Sequence, residues 1–100
     1  MDFSDIKQGD TIRINIAAHL APAGFTGKKV EKPAKSMIVR VNIIADVNGQ
    51  PGRQQAFCTI LDDGAGNVYT ERNPLGFIDG PNFSFFSDSR GTGEQTFERV

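Results

Sequence analysis

The chain has 100 residues, of which 38% are hydrophobic and 23% charged, with eight Phe, no Trp and a formal net charge of −1. That is one domain's worth of chain with one modest core, and the near-neutral balance excludes a global basic field that would draw in nucleic acid. No apolar run approaches the roughly 20 residues that a membrane-crossing helix needs, and the single cysteine, Cys58, excludes an internal disulfide framework.

The first residues, Met1-Asp2-Phe3-Ser4-Asp5, are acidic and carry no apolar stretch of the secretory kind, so a cytoplasmic protein is expected. Residues 1–10 read as a lead-in, with Ser4-Asp5 suited to capping a short turn and Gly9-Asp10 to a second turn. Thr11 to Ala18 reads as a strand. Ile12, Ile14, Ile16 and Ala18 share one face, and Thr11, Arg13, Asn15 and Ala17 share the other. Ala21-Pro22-Ala23-Gly24 is expected to break it. Phe25 to Val30 reads as a short strand or as part of a long loop running to Pro33, which is awkward inside a central strand.

The strongest pattern follows. From Ser36 to Asn48 the odd positions Met37, Val39, Val41, Ile43, Ala45 and Val47 are all apolar, while the even positions are mixed. Period-two alternation is the mark of a half-buried strand. A straight strand over 36–47 would span about 40 Å, long for so small a domain, so a bend or bulge is expected within it. Asn48-Gly49-Gln50-Pro51-Gly52 closes it with turn chemistry.

Gln54 to Leu61 reads as the next strand, followed by a hairpin loop at Asp62-Asp63-Gly64-Ala65-Gly66-Asn67 and a return at Val68 to Glu71. Asn73-Pro74-Leu75-Gly76 is a further turn. Phe77-Ile78 and Phe83-Ser84-Phe85-Phe86 are short apolar pieces around Asp79-Gly80-Pro81-Asn82. From Ser87 the chain is polar and Gly-rich, which predicts a mobile C-terminal tail over 87–100 behind a domain over 1–86. Five to six short, mostly antiparallel strands with no amphipathic helix predict an all-β domain, a small barrel or sandwich, SH3-like or alternatively OB-like.

Three segments, Gly9-Asp10-Thr11-Ile12-Arg13-Ile14, Gly24-Phe25-Thr26-Gly27-Lys28-Lys29-Val30 and Ile38-Val39-Arg40-Val41, together resemble the KOW-type SH3-like barrel. In that family a Gly-Asp turn opens a β-branched strand, and a Gly-rich, Lys-containing loop and a second strand follow. Lys29 stands here where a second glycine usually precedes the loop's valine. The resemblance covers residues 9–42 and implies a barrel that binds RNA, DNA or a protein partner.

Chemistry-bearing clusters are sparse. One Cys and one His leave no Cys/His zinc set within one chain. Asp62, Asp63, Asn67 and Glu71 lack the alternating spacing of a calcium loop and suit a plain turn. Cys58 shares parity with Ala56 and Ile60 and reads as a buried thiol, with His19 toward the polar face, so the two are not expected to meet as nucleophile and base. There is no GxxxxGK[ST] loop and no GxSxG elbow. No catalytic residues, metal or cofactor are expected.

The remaining candidate is a surface. Between Gly24 and Arg40 lie Lys28, Lys29, Lys32, Lys35 and Arg40 against Glu31, a local charge of +4 between acidic ends. If the first and central strands pair, Arg13, Asn15, Arg40 and Asn42 share a polar face beside that lysine segment. Arg and Lys bind phosphates and Asn reads polar edges, and an exposed Phe25 or Tyr69 could stack a base. The expected function is a non-catalytic binding module for nucleic acid or a nucleoprotein assembly. The alternative is a protein-interaction or assembly factor, of a small phage or accessory kind, acting through its aromatic residues and sheet edges as a homo-oligomer or with another protein. No membrane partner is expected.

Overall fold

The structure is a computed structural model and describes residues 1–22, 27–72, 74–76, 78–88 and 94–100. After a 3-10 turn at Phe3–Asp5, seven strands follow: β1 Thr11–Ile16, β2 His19–Pro22, β3 Lys29–Lys32, β4 Lys35–Asp46, β5 Gln54–Asp62, β6 Asn82–Phe86 and β7 Gln95–Arg99. Five form one antiparallel sheet in the order β6-β5-β4-β1-β7, and β2 and β3 form a separate two-stranded ribbon. The expected all-β domain is present. Among the described residues no helix is long and apolar enough to cross a membrane.

The sheet buries the faces that alternation assigns. Ile12 and Ile14 of β1, Met37, Val39 and Val41 of β4, Ala56, Cys58 and Ile60 of β5, and Phe85 of β6 are buried, with Phe3 and Ile6 from the lead-in. Five flat strands about 4.8 Å apart would hold their two edges some 19 Å apart. Yet the rings of Phe85 on edge strand β6 and Phe97 on edge strand β7 lie 5.4 Å apart, and Phe3 packs edge-on to both at 5.7 and 6.4 Å. The sheet is therefore curled until its edges meet through aromatic side chains, with the N-terminal turn plugging the seam.

The curl has a local cause in β4. Val41 pairs with Cys58 and Ile43 with Phe57, so Asn42 is an extra residue, and a second irregularity falls between Ile38 and Val39. Such bulges bend a strand and increase its twist. The bulge also reverses parity. Beyond it Ile44 turns toward the core and Ile43 is 54% exposed. The sequence pattern placed Ile43 inside and Ile44 outside. One inserted residue overrides it, as expected for a strand of period two.

Three expectations need correction. The first strand ends at Ile16 rather than Ala18, and the chain resumes as a strand at His19–Pro22 where a break was expected. Val68 to Glu71 is not a strand: Val68 makes an isolated bridge to Asp62, and the Tyr69 N–H donates to the Leu61 carbonyl. The C-terminal segment is not all tail. Gln95–Arg99 pairs with β1 from Ile16↔Gln95 to Ile12↔Arg99, and Arg99 donates to Asp5 O and Asp10 Oδ2, each at 3.0 Å. A lone Phe97 among polar residues hides an edge strand, because an edge needs only one apolar anchor on its inner face. Before it, Arg53 binds Asp88 at 3.1 Å and stacks on Phe86, 3.8 Å from the ring centroid.

Phe85 joins both edges of the curl. Phe85→Ala should cost about 3–5 kcal/mol, seen as a lower urea midpoint at unchanged slope.

Candidate nucleic-acid interface

β2 and β3 are the distal part of one hairpin. Ile16 faces Lys35, and three residues further along both strands His19 faces Lys32 in the same phase. No residue is inserted, so the ribbon continues β1 and β4 past a two-residue interruption where Ala17-Ala18 stand against Pro33-Ala34. Pro33 lacks the N–H a ladder needs, and the Ala17 N–H turns to the Glu94 carbonyl at 2.8 Å. The result is an arm. Lys29–Lys32 are exposed throughout, and Leu20 and Val30 are 63% and 43% exposed. The radius of gyration, 14.5 Å, exceeds the roughly 13 Å of a compact chain this long.

The arm carries most of the cations singled out in the sequence. Lys28 precedes β3, Lys29 and Lys32 lie in it on opposite faces of the ribbon, and Lys35 opens β4; all are exposed. At the arm's base a cleft of about 560 Å³ is lined by Ile16, His19, Lys32, Lys35 and the loop residues Asp63 and Gly64. His19 Nδ1–H donates to the Ala17 carbonyl at 3.0 Å.

The Arg/Asn face also forms, because β1 and β4 pair. Arg13 lies opposite Ile38, Asn15 opposite Ser36 and Arg40 opposite Thr11, all on the sheet's outer surface. Their free capacity differs. Glu98 of β7 takes an ion pair from Arg13 at 3.8 Å and a hydrogen bond from Asn15 at 3.3 Å. Asn42 donates to Thr59 Oγ1 at 2.9 Å. Arg53, Arg72 and Arg99 are engaged by Asp88, the Gly76 carbonyl and Asp10. Arg40 is half-buried, and among the described residues no carboxylate or carbonyl engages it.

The aromatic candidates change. Phe25 lies outside the described residues, and Tyr69 is half-buried against the core. Among the described residues the exposed aromatic is Phe57, 44% accessible and directly across the ladder from Ile43. Its position was readable: with Ala56, Cys58 and Ile60 inward, parity sends Phe57 out. Burial pushes the Cys58 thiol up to about 12, so it stays protonated at neutral pH.

The Asp62–Asn67 loop spends its carboxylates internally. Asp63 accepts from Asn67 Nδ2 at 2.8 Å and from the Ala65 N–H at 2.8 Å, while Asp62 accepts from the Gly64 N–H at 2.9 Å. Among the described residues no group of three or more metal-ligating side chains forms. Gly64 has φ +73°, and a Cβ there would drive into the Ser36 carbonyl at the arm's base. Gly66 has φ +97° and open space.

No family model, no curated protein and no solved structure matches the chain.

Two outcomes follow from the loop. Gly66→Ala should cost about 1–2 kcal/mol for its left-handed backbone, and Gly64→Ala distinctly more, measured by urea unfolding. The Asn67 amide first, then the Ala65 N–H, hold Asp63 below its ordinary value of 3.8, and the Lys7 N–H followed by Arg99 does the same for Asp10. A depressed folded value gives stability that is present above pH 3.8 and lost as pH falls through the folded value. Asp10→Asn/Asp63→Asn should flatten the acid limb of a stability-against-pH curve relative to wild type.

Proposed function

We propose that the chain is a cytoplasmic, non-catalytic nucleic-acid-binding module whose basic β-ribbon arm and adjoining sheet face track a phosphate backbone. The observation that carries this reading is the arm. A two-stranded ribbon is marginal by itself, and this one projects with Lys29 and Lys32 on opposite faces and Lys28 and Lys35 at its ends. Residues 28–35 hold four lysines against one carboxylate, Glu31, so the local charge is positive on a chain of net charge −1, with Asp63 facing Lys35 at the base of the arm. A concentrated basic stripe on a near-neutral body suits counterion-releasing contact with phosphates. The resemblance of residues 9–42 to KOW-type barrels points to the same partner class, and that segment spans β1, the arm and the first part of β4.

The apolar residues of the arm support a second reading, in which Leu20 and Val30 dock into another protein of a nucleoprotein assembly. The two readings separate by charge.

Lys29→Glu/Lys32→Glu should weaken binding to labelled DNA or RNA by at least tenfold in fluorescence anisotropy at low salt, with a shallower dependence on salt. Equal binding by wild type and variant would remove the arm from the interface.

A further inference from the structure

We infer that the outer surface across β4 and β5 takes an unpaired base of a single strand, with Phe57 as the stacking platform and Arg40 as the adjacent phosphate contact. This rests on the nucleic-acid reading above and narrows it to single strands.

Four observations converge on this patch. Phe57 and Ile43 are 44% and 54% exposed and are direct cross-strand partners, so they form one continuous exposed apolar surface on the outer face. Arg40 shares that face two pairs along, opposite Thr59, and is the arginine that the described residues leave without a carboxylate or carbonyl partner. Around the ring, Asn42, Asn82 and Ser84 line a shallow cleft of about 420 Å³ with hydrogen-bonding groups. Finally, the patch is continuous with the arm. Lys32 has the phase of Ser36, Ile38 and Arg40 on the outer face, and it lies eleven residues before Ile43 on the β3–β4 segment, a span of roughly 35 Å, so several nucleotides laid along that face reach from the arm to Phe57.

The chemistry selects the strand state. Phenylalanine offers a ring face and no hydrogen bond, which suits any base with a free face. Bases inside a duplex are stacked on each other and present only their edges. A guanidinium beside an aromatic platform supplies phosphate charge next to the stacked base, the combination that binds single strands with little sequence preference. The bulge at Asn42 makes the platform, since without it Ile43 would face the core.

The chain contains no tryptophan, so Phe57→Trp installs a single reporter that keeps an aromatic ring. The probes are oligo(dT) of about 12 nucleotides, within the usual site size, an abasic strand of equal length, and a duplex. Oligo(dT) should quench the Trp emission, and the abasic strand and the duplex should leave it unchanged while still giving an anisotropy signal. Phe57→Ala should weaken oligo(dT) binding roughly tenfold without altering the abasic strand, and Arg40→Gln should lower the salt slope by about one. Oligo(dT) binding with unchanged emission and full affinity in Phe57→Ala overturns the stacking site and leaves the nucleic-acid reading standing. Equal quenching by the abasic strand also overturns it. Absence of binding by the wild-type protein to every probe at low salt overturns both.

Discussion

Asn42 has no partner of its own between β4 and β5, and that single unmatched residue sets the geometry on which the rest of the molecule depends. A twelve-residue strand in a 100-residue protein cannot stay straight and still be covered on its inner face. The bulge bends it, and the bend helps bring Phe85 and Phe97, on opposite edges of the sheet, to 5.4 Å. The same residue exchanges the roles of Ile43 and Ile44. Closure on the inside and an apolar platform on the outside are two consequences of one insertion.

Closure through rings rather than through a backbone ladder has its own logic. β6 and β7 are not paired with each other, so both edges keep unladdered backbone groups. The Phe3 ring fills the seam and the turn at Phe3–Asp5 holds it there, with the Asp2 N–H donating to Asp5 Oδ2 and the Asp5 N–H to the Asp2 carbonyl. Arg99 then ties β7 to the lead-in through Asp5 and Asp10. The N- and C-terminal segments thus lock one another, although neither reads as a core element.

Electrostatics divides the cations into two populations. Arg13, Arg53 and Arg99 are matched with carboxylates on neighbouring elements; the exposed Arg13 pair contributes little stability, the Arg53–Asp88 pair is partly buried, and each pair occupies its guanidinium. Lys29 and Lys32 stand on a ribbon that buries almost nothing, and among the described residues no carboxylate or carbonyl engages Arg40 on the sheet face. A site composed of the second population coincides with the surface that the fold leaves uncovered.

Much of this was legible in particular residues. The inner faces of β1 and of β4 up to Val41 follow directly from alternation, as does the burial of Cys58. Pro33 marked the break at the base of the arm, and the length of the 36–47 run required a bend. Strand parity at Ala56, Cys58 and Ile60 also pointed Phe57 outward. Other features left no local trace. The arm needs the phase of β2 against β3 to match that of β1 against β4, and β7 needs β1 as a template. The occupancy of Arg13 and Asn15 depends on Glu98, 85 and 83 positions away in sequence.

The sequence by itself determined an all-β chain, the core side of its central strands and a basic middle segment, because side-chain alternation and local charge are properties of neighbouring residues. The tertiary structure alone decided where the central strand changes face, which edges meet, and which of the described arginines neighbouring carboxylates engage. Those depend on register and on groups brought together from distant parts of the chain, and a bulge of one residue reverses every face beyond it.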